Sequence, residues 1–287
     1  MPWTFERVAG PFSFTEGPVW TGEKVYFTDI HNNRIMGYEP TSGACVEAFT
    51  GTNAANGLTL DRDGRLYVAE GGGRRVARYD ADGSRITVAD RFDGKRLNSP
   101  NDLVIDHDGR LWFTDPRYGD RESMELDHDS IYRADPRSDG SWTITRVTFD
   151  TTRPNGLAFA PDYRTLYVAE SPPAPNGHRQ LRAYPVKADG ALGAGKVLHD
   201  FGPHRGIDGM RVDVTGNIVA CCGWTQSGPG PRISVFAPSG EVLAEHPVTS
   251  NPTNCCFAEA DLTVLYVTGY DGALYRARTN LHGARRP

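Results

Sequence analysis

Short apolar alternations, each led by a single polar residue, recur along the whole chain. "ANGLTLDRDGRLYVAE", "PNDLVIDHDGRLWFTD" and "TRPNGLAFAPDYRTLYVAE" share the clearest form of this word. "TEGPVWTGEKVYFTD", "GIDGMRVDVTGNIVACC" and "NPTNCCFAEADLTVLYVTG" have the same shape. In each, a polar residue precedes an apolar alternation, a turn follows, and a second β-rich run closes the word. The turns fall at Asp63-Gly64, Asp108-Gly109, Thr215-Gly216 and the longer Pro161-Asp162-Tyr163-Arg164. Alternation on both sides of such turns predicts hairpins, because side chains of a strand point to opposite faces with period two. No stretch sustains a helical period.

The leading polar residues are Glu16, Asn56, Asn101, Asn155, Asp208 and Asn254, separated by 40, 45, 54, 53 and 46 residues. Passing from Asn254 through the C-terminus back to Glu16 takes another 49. That spacing is the size of one four-stranded propeller blade. The pattern predicts an all-β six-bladed β-propeller with four-stranded blades, one domain over residues 1–287. An N-terminal strand within "WTFERVA" would complete the last blade and seal the ring against an open sheet edge. Asp80, Gly83, Asp135, Gly140, Asp189-Gly190 and Ser239-Gly240 then fall in outer turns. A β-sandwich is the competing all-β architecture, but it needs no six equivalent words.

In a propeller the innermost strands line a central channel, so residues equivalent in the repeat converge on its axis. Two carboxylates and four carboxamides would meet there, with no basic residue, histidine or cysteine among them. Leaving such groups buried without partners costs about 1–3 kcal/mol each. Either water fills the channel, or a divalent cation gathers the oxygens. An all-oxygen set suits calcium, magnesium or manganese better than a dedicated zinc site. Calcium tolerates irregular geometry and magnesium demands an octahedron, and the pattern leaves both open.

Composition narrows the partners. A formal charge of −5 in a chain with 38% apolar residues argues against a nucleic-acid backbone or an anionic membrane. No apolar run approaches the roughly 20 residues of a spanning helix, and "MPWTFERVAG" lacks a signal-peptide core, which predicts a cytoplasmic protein. The adjacent pairs Cys221-Cys222 and Cys255-Cys256, with Cys45 alone, read as buried free thiols, since neighbours on a strand face apart. The histidines miss every ring position; His204, beside Arg205, is the one placed to overhang a pocket. The charged loop "PRYGDRESMELDHDS" and the proline-stiffened "SPPAPNGHRQ" would stand on the propeller face.

"FTEGPVW", "SPNDLVID" with "LWFTDPRYG", "PNGLAFAPD" with "LYVAES", "IDGMRVDVTGNI" and "PTNCCFAEADLTVLYVT" resemble, in order and over nearly the whole chain, the gluconolactonase and regucalcin (senescence marker protein) family. The resemblance implies a six-bladed propeller with one divalent cation in its channel that hydrolyses sugar lactones. It implies metal ligands at Glu16, Asn155 and Asp208, with Asp208 also accepting and returning the proton. Asn101 matches an asparagine that contacts substrate in the lactonases and metal in the squid-type diisopropylfluorophosphatase, a more distant relative. Calcium is the first expectation, with magnesium, manganese or zinc as alternatives.

The chain departs from the regucalcin branch at Ser99, where that branch has a substrate-binding arginine. It departs again near Gly119, where an acidic residue enters the pocket in regucalcins and Tyr118 here stands beside it as a substrate contact. "FTDPRYG" is similar to the bacterial lactonase branch instead. Asn56 and Asn254 carry no family ligand role and are expected to line the channel. Two alternatives to sugar-lactone hydrolysis remain: the same metal acting on an organophosphate or non-sugar lactone, and a binding propeller plugged by a structural ion.

Overall fold

The computed structural model describes residues 2–172 and 177–285; Pro173 of the proline-rich loop lies outside them. Six four-stranded antiparallel sheets surround one axis, and each follows the hairpin order of the repeat. The innermost strands are Thr15–Trp20, Ala55–Leu60, Leu103–Ile105, Pro154–Phe159, Ile207–Val212 and Pro252–Ala258. Each lies against the next around the ring, and the last returns to the first. The expected closure is present: Glu6–Ala9 pairs antiparallel with Leu274–Arg278 on the outside of the sixth blade. A two-stranded ribbon, Arg91–Phe92 with Lys95–Arg96, is the one sheet outside the blades among the described residues. Among the described residues no helix is long and apolar enough to cross a membrane.

The core is divided as the ring is. Six apolar clusters occupy the six spaces between neighbouring blades. Between blades three and four, for example, Trp112 and Ile131 pack on Leu157, Leu166 and Val168. The thiols share in this packing. Cys221 and Cys255 lie between blades five and six, Cys222 between four and five, and Cys256 between one and six.

In five of the six repeats the leading polar residue sits at a break in strand register; in the third, Asn101 lies just ahead of the strand Leu103–Ile105. Pairing with the second strand shifts between Glu16 and Val19, Ala55 and Leu58, Pro154 and Leu157, Ile207 and Met210, and Pro252 and Cys255. Such a bulge leaves residues unpaired and re-aims a side chain, here toward the axis. In four repeats a glycine follows directly, at Gly17, Gly57, Gly156 and Gly209. The neighbouring inner strand comes so close that a Cβ on Gly156 would stand 2.5 Å from the Asp208 carbonyl oxygen, and one on Gly57 2.7 Å from that of Asn101. The polar–glycine pair thus lets four of the inner strands approach their neighbours tightly enough to share one channel.

The carboxylate that ends the second strand of the first four words closes the same device. Asp29 accepts from the Ser13 backbone N–H, and Glu70 from the Asn53 side chain. Asp115 accepts from the N–H groups of Asn98 and Ser99, both at 2.7 Å, and Glu170 from those of Thr152 and Arg153. Each clamps the loop two or three residues before a channel residue. The ring positions are thereby fixed from behind.

Candidate active site

One cavity of about 660 Å³ opens on the axis and is lined by Glu16, Asn56, Asn101, Asn155 and Asp208, with Tyr118 beside them. Five of the six ring residues read from spacing therefore share a single space. The sixth, Asn254, is fully buried beneath it. Its Nδ2 donates to Asp102 Oδ2 at 3.2 Å, and it also hydrogen-bonds Glu16.

Backbone tethers hold the ring across blade boundaries. Thr28 Oγ1 donates to the Asn56 carbonyl at 3.0 Å, and Thr114 Oγ1 to that of Asn155 at 2.9 Å. Asn155 is fixed at its side chain as well: Nδ2 donates to the Tyr118 hydroxyl at 2.8 Å, and its amide also hydrogen-bonds Asp208. With its N–H groups engaged, Asn155 presents Oδ1 as an acceptor. Tyr118 as a residue is 42% exposed, yet its hydroxyl reaches the cavity, where burial and then the charge of Asp208 push the phenol up. It stays protonated.

Two channel residues escape the reading by spacing. Asp102 stands where four other repeats have glycine, and adds a third carboxylate just below the cavity floor. Arg211, three residues after Asp208, contributes the basic group the ring was expected to lack. Its Nη1 lies 3.8 Å from Asp102 Oδ2, and its guanidinium also donates to the Met210 carbonyl. The signal for Asp102 was present: "PND" breaks the "NG" form of the words on either side. Arg211 gives no repeat signal, because no other word has a basic residue at that place.

The electrostatics follow from this crowding. Glu16 has its pKa raised well above the ordinary value, first by burial and then by the charges of Asp208 and Asp102. Asp208 is raised by burial, against the opposing pull of the Arg205 guanidinium and the Asn155 hydrogen bond. Asp102 is raised by burial as well, with Arg211 pulling the other way. Three buried carboxylates face two guanidiniums, and only Arg205, paired with Asp208, belongs to the cavity itself.

A hard divalent cation fits this donor set. Glu16 and Asp208 would supply charge to it, and Asn155 and Asn101 neutral oxygens. Among the described residues no trio of histidine, cysteine, aspartate and glutamate side chains is gathered for an ion, so a site here must enlist the amides. No histidine or cysteine lines the cavity among the described residues, which disfavours zinc. His204 is exposed on the face and is not part of the lining. His246, away from the cavity, is buried and stacks on Trp3 at 3.8 Å. Ser99 is held away from the cavity by Asp115 and by the Gly71 carbonyl.

The model of the SMP-30/Gluconolactonase/LRE-like region matches residues 14–270, from the first channel strand to the last. The chain belongs to this family. It is similar to the gluconolactonase of Zymomonas mobilis, 31% identical over 96% of this chain and 81% of that protein. Pentonolactonase XacC of Haloferax volcanii is 30% identical over 90% of this chain and 82% of its own length. Among solved structures, gluconolactonase XC5397 from Xanthomonas campestris is similar with a TM-score of 0.84 and 33% identity, covering 97% of this chain and 89% of that one.

Proposed function

We propose that this chain opens lactones, sugar lactones foremost, at the axial cavity, with a divalent cation held by Glu16, Asn155 and Asp208 and supported by Asn101. The observation that carries the proposal is the meeting of two carboxylates and neutral amides from separate blades in one open cavity. Membership of a family whose named relatives include gluconolactonases and a pentonolactonase supports it. Calcium, magnesium and manganese suit the donors.

When bound, such an ion supplies Lewis-acid polarisation of the acyl oxygen, an effect worth several kcal/mol. The protein side of the reaction is proton transfer and positioning. Asp208 takes a proton from the attacking water as its oxygen bonds to the acyl carbon. The acyl carbon–ring oxygen bond then breaks, and Asp208 returns the proton to the departing ring oxygen, giving the open hydroxy acid. The Asn101 carboxamide holds the substrate from the third blade. The Tyr118 hydroxyl fixes Asn155 and faces the substrate across the cavity. The aromatic walls above limit access of bulk water to the reacting carbonyl.

The test is proton release at constant pH over a panel of lactones, with protein stripped by chelator and refilled with single ions. The reading expects turnover that disappears on stripping and returns with one of calcium, magnesium or manganese. Asp208→Asn should lose turnover by at least about a hundredfold, the usual range for a general base. Hydrolysis of an organophosphate but of no lactone would redirect the reading to a phosphatase. An ion that raises the melting temperature without any turnover would make it a structural plug.

A further inference from the structure

The axial cavity is flanked by Phe14, Trp224 and Tyr270 and ends below at two side chains outside its lining. Asn254 of the sixth blade and Asp102 of the third come from opposite sides of the ring, and both are buried. Asn254 Nδ2 donates to Asp102 Oδ2 at 3.2 Å, so a single hydrogen bond spans the channel. Glycines of two other blades make room for it. A Cβ on Gly209 would stand 2.1 Å from the Asn254 Cγ, and one on Gly57 2.7 Å from Asp102 Oδ1.

Both partners are fixed behind that bond. Asn254 Oδ1 accepts from the Cys255 N–H at 2.9 Å, and the Asn254 N–H donates to Thr268 Oγ1 at 3.1 Å. Asp102 Oδ1 accepts from the Leu103 N–H at 2.9 Å, while Arg211 stands 3.8 Å from Oδ2. Arg211 also lines two cavities of about 300 and 500 Å³, and neither Asn254 nor Asp102 belongs to their lining. With its oxygen engaged, the Asn254 amide turns its N–H groups to two carboxylates, Asp102 and Glu16. Glu16 is otherwise tied only locally, Oε2 accepting from the N–H of Gly17. A side chain hydrogen-bonded behind a metal ligand sets the direction in which that ligand points.

We propose that Asn254 is a positioning residue: braced on Asp102 across the channel, it holds the Glu16 carboxylate in the direction a cation in the cavity requires. This rests on the cation reading above and gives a task to the one ring residue that does not reach the cavity.

The test is calorimetric titration of chelator-stripped protein with manganese, for wild type, Asn254→Leu, Asp102→Asn and the double variant. Asp102→Asn breaks the brace at similar size: its one remaining oxygen serves the Leu103 N–H, and its N–H groups then face those of Asn254. Each single substitution should weaken manganese by about tenfold or more. In the Asp102→Asn background, Asn254→Leu should add less than about threefold, because the brace is already gone. With manganese saturating, kcat on a lactone should return to within about threefold of wild type at unchanged KM, a recovery that a general loosening of the fold would not allow. Melting of the ion-free proteins reads folding, and Asn254→Ser replaces the leucine variant should that one fail to fold. Manganese bound as tightly by the Asn254 variant as by wild type, or losses that multiply in the double variant, overturn the proposal and leave the lactonase reading standing. A kcat that stays tenfold down at unchanged manganese affinity overturns it as well. No manganese uptake by wild type overturns the cation reading and the proposal together.

Discussion

Tyr118, from a loop of the third blade, and Asn155, from the innermost strand of the fourth, are joined by a hydrogen bond of 2.8 Å across the cavity wall. The bond orients the Asn155 amide so that its oxygen is left for a cation or substrate. Tyr118→Phe removes the partner while keeping the ring and its contact with the Arg153 guanidinium, 5.3 Å from the ring centroid. Turnover should fall about tenfold and the affinity for calcium several-fold, consistent with loss of one hydrogen bond behind a ligand. Calcium titration alongside lactone kinetics checks it.

The close approach of inner strands predicts intolerance at the glycine after Asn155. A methyl group on Gly156 would meet the Asp208 carbonyl at 2.5 Å and the Gly209 Cα at 2.8 Å, and both neighbours are backbone. Gly156→Ala should cost about 2–3 kcal/mol by overpacking, and should reduce activity beyond that, since Asn155 and Asp208 move together. Urea midpoints and residual activity at a temperature where the variant is folded separate the two effects.

Glu170 is a clamp, not a channel group. One of its oxygens accepts from the N–H groups of both Thr152 and Arg153, just ahead of Asn155. The Thr152 hydroxyl donates to the same oxygen, so Glu170→Ala leaves three donors without their partner and should destabilise the fold by about 2–4 kcal/mol. Glu170→Gln keeps an acceptor and should cost less. Denaturant unfolding of the two variants, run in parallel, reads the order.

Asp115 carries a pH signature. Burial is the largest influence and pushes its carboxyl from 3.8 up to about 7, against the pull of the Asn98 and Ser99 N–H groups. In this window the folded protein binds a proton that the unfolded chain has released. Stability is therefore lost as pH rises from about 4 to about 7. Asp115→Asn should flatten that part of the profile, as seen in urea midpoints between about pH 4 and 8. A profile that keeps its slope in the variant assigns the proton to another group.

The ring of blades was legible because one local device, a polar residue and glycine at a bulge, repeats in the sequence as it does in space. Asn56, Asn155 and Asp208 could be placed on a common axis without coordinates for that reason. Asp102 was hidden because it occupies the glycine's place, not the polar residue's. Arg211 was hidden because a single basic residue has no counterpart in the other words. The strand-ending carboxylates Glu70, Asp115 and Glu170 stood in the repeated pattern, but their role depends on loop N–H groups whose direction no spacing reveals. The rim is the least legible part. Arg179, Arg205, Trp224 and Tyr270 come from connections of unequal length, and only folding brings them to one mouth.

The central claim is that Glu16, Asn155 and Asp208 gather about a single divalent ion. Crystals grown with manganese, measured at its absorption edge, test it most directly. The account predicts one anomalous peak on the channel axis, about 2.0–2.5 Å from oxygens of all three side chains, and its absence in Glu16→Gln with Asp208→Asn. A peak elsewhere, or one on the axis that survives the double substitution, would contradict it.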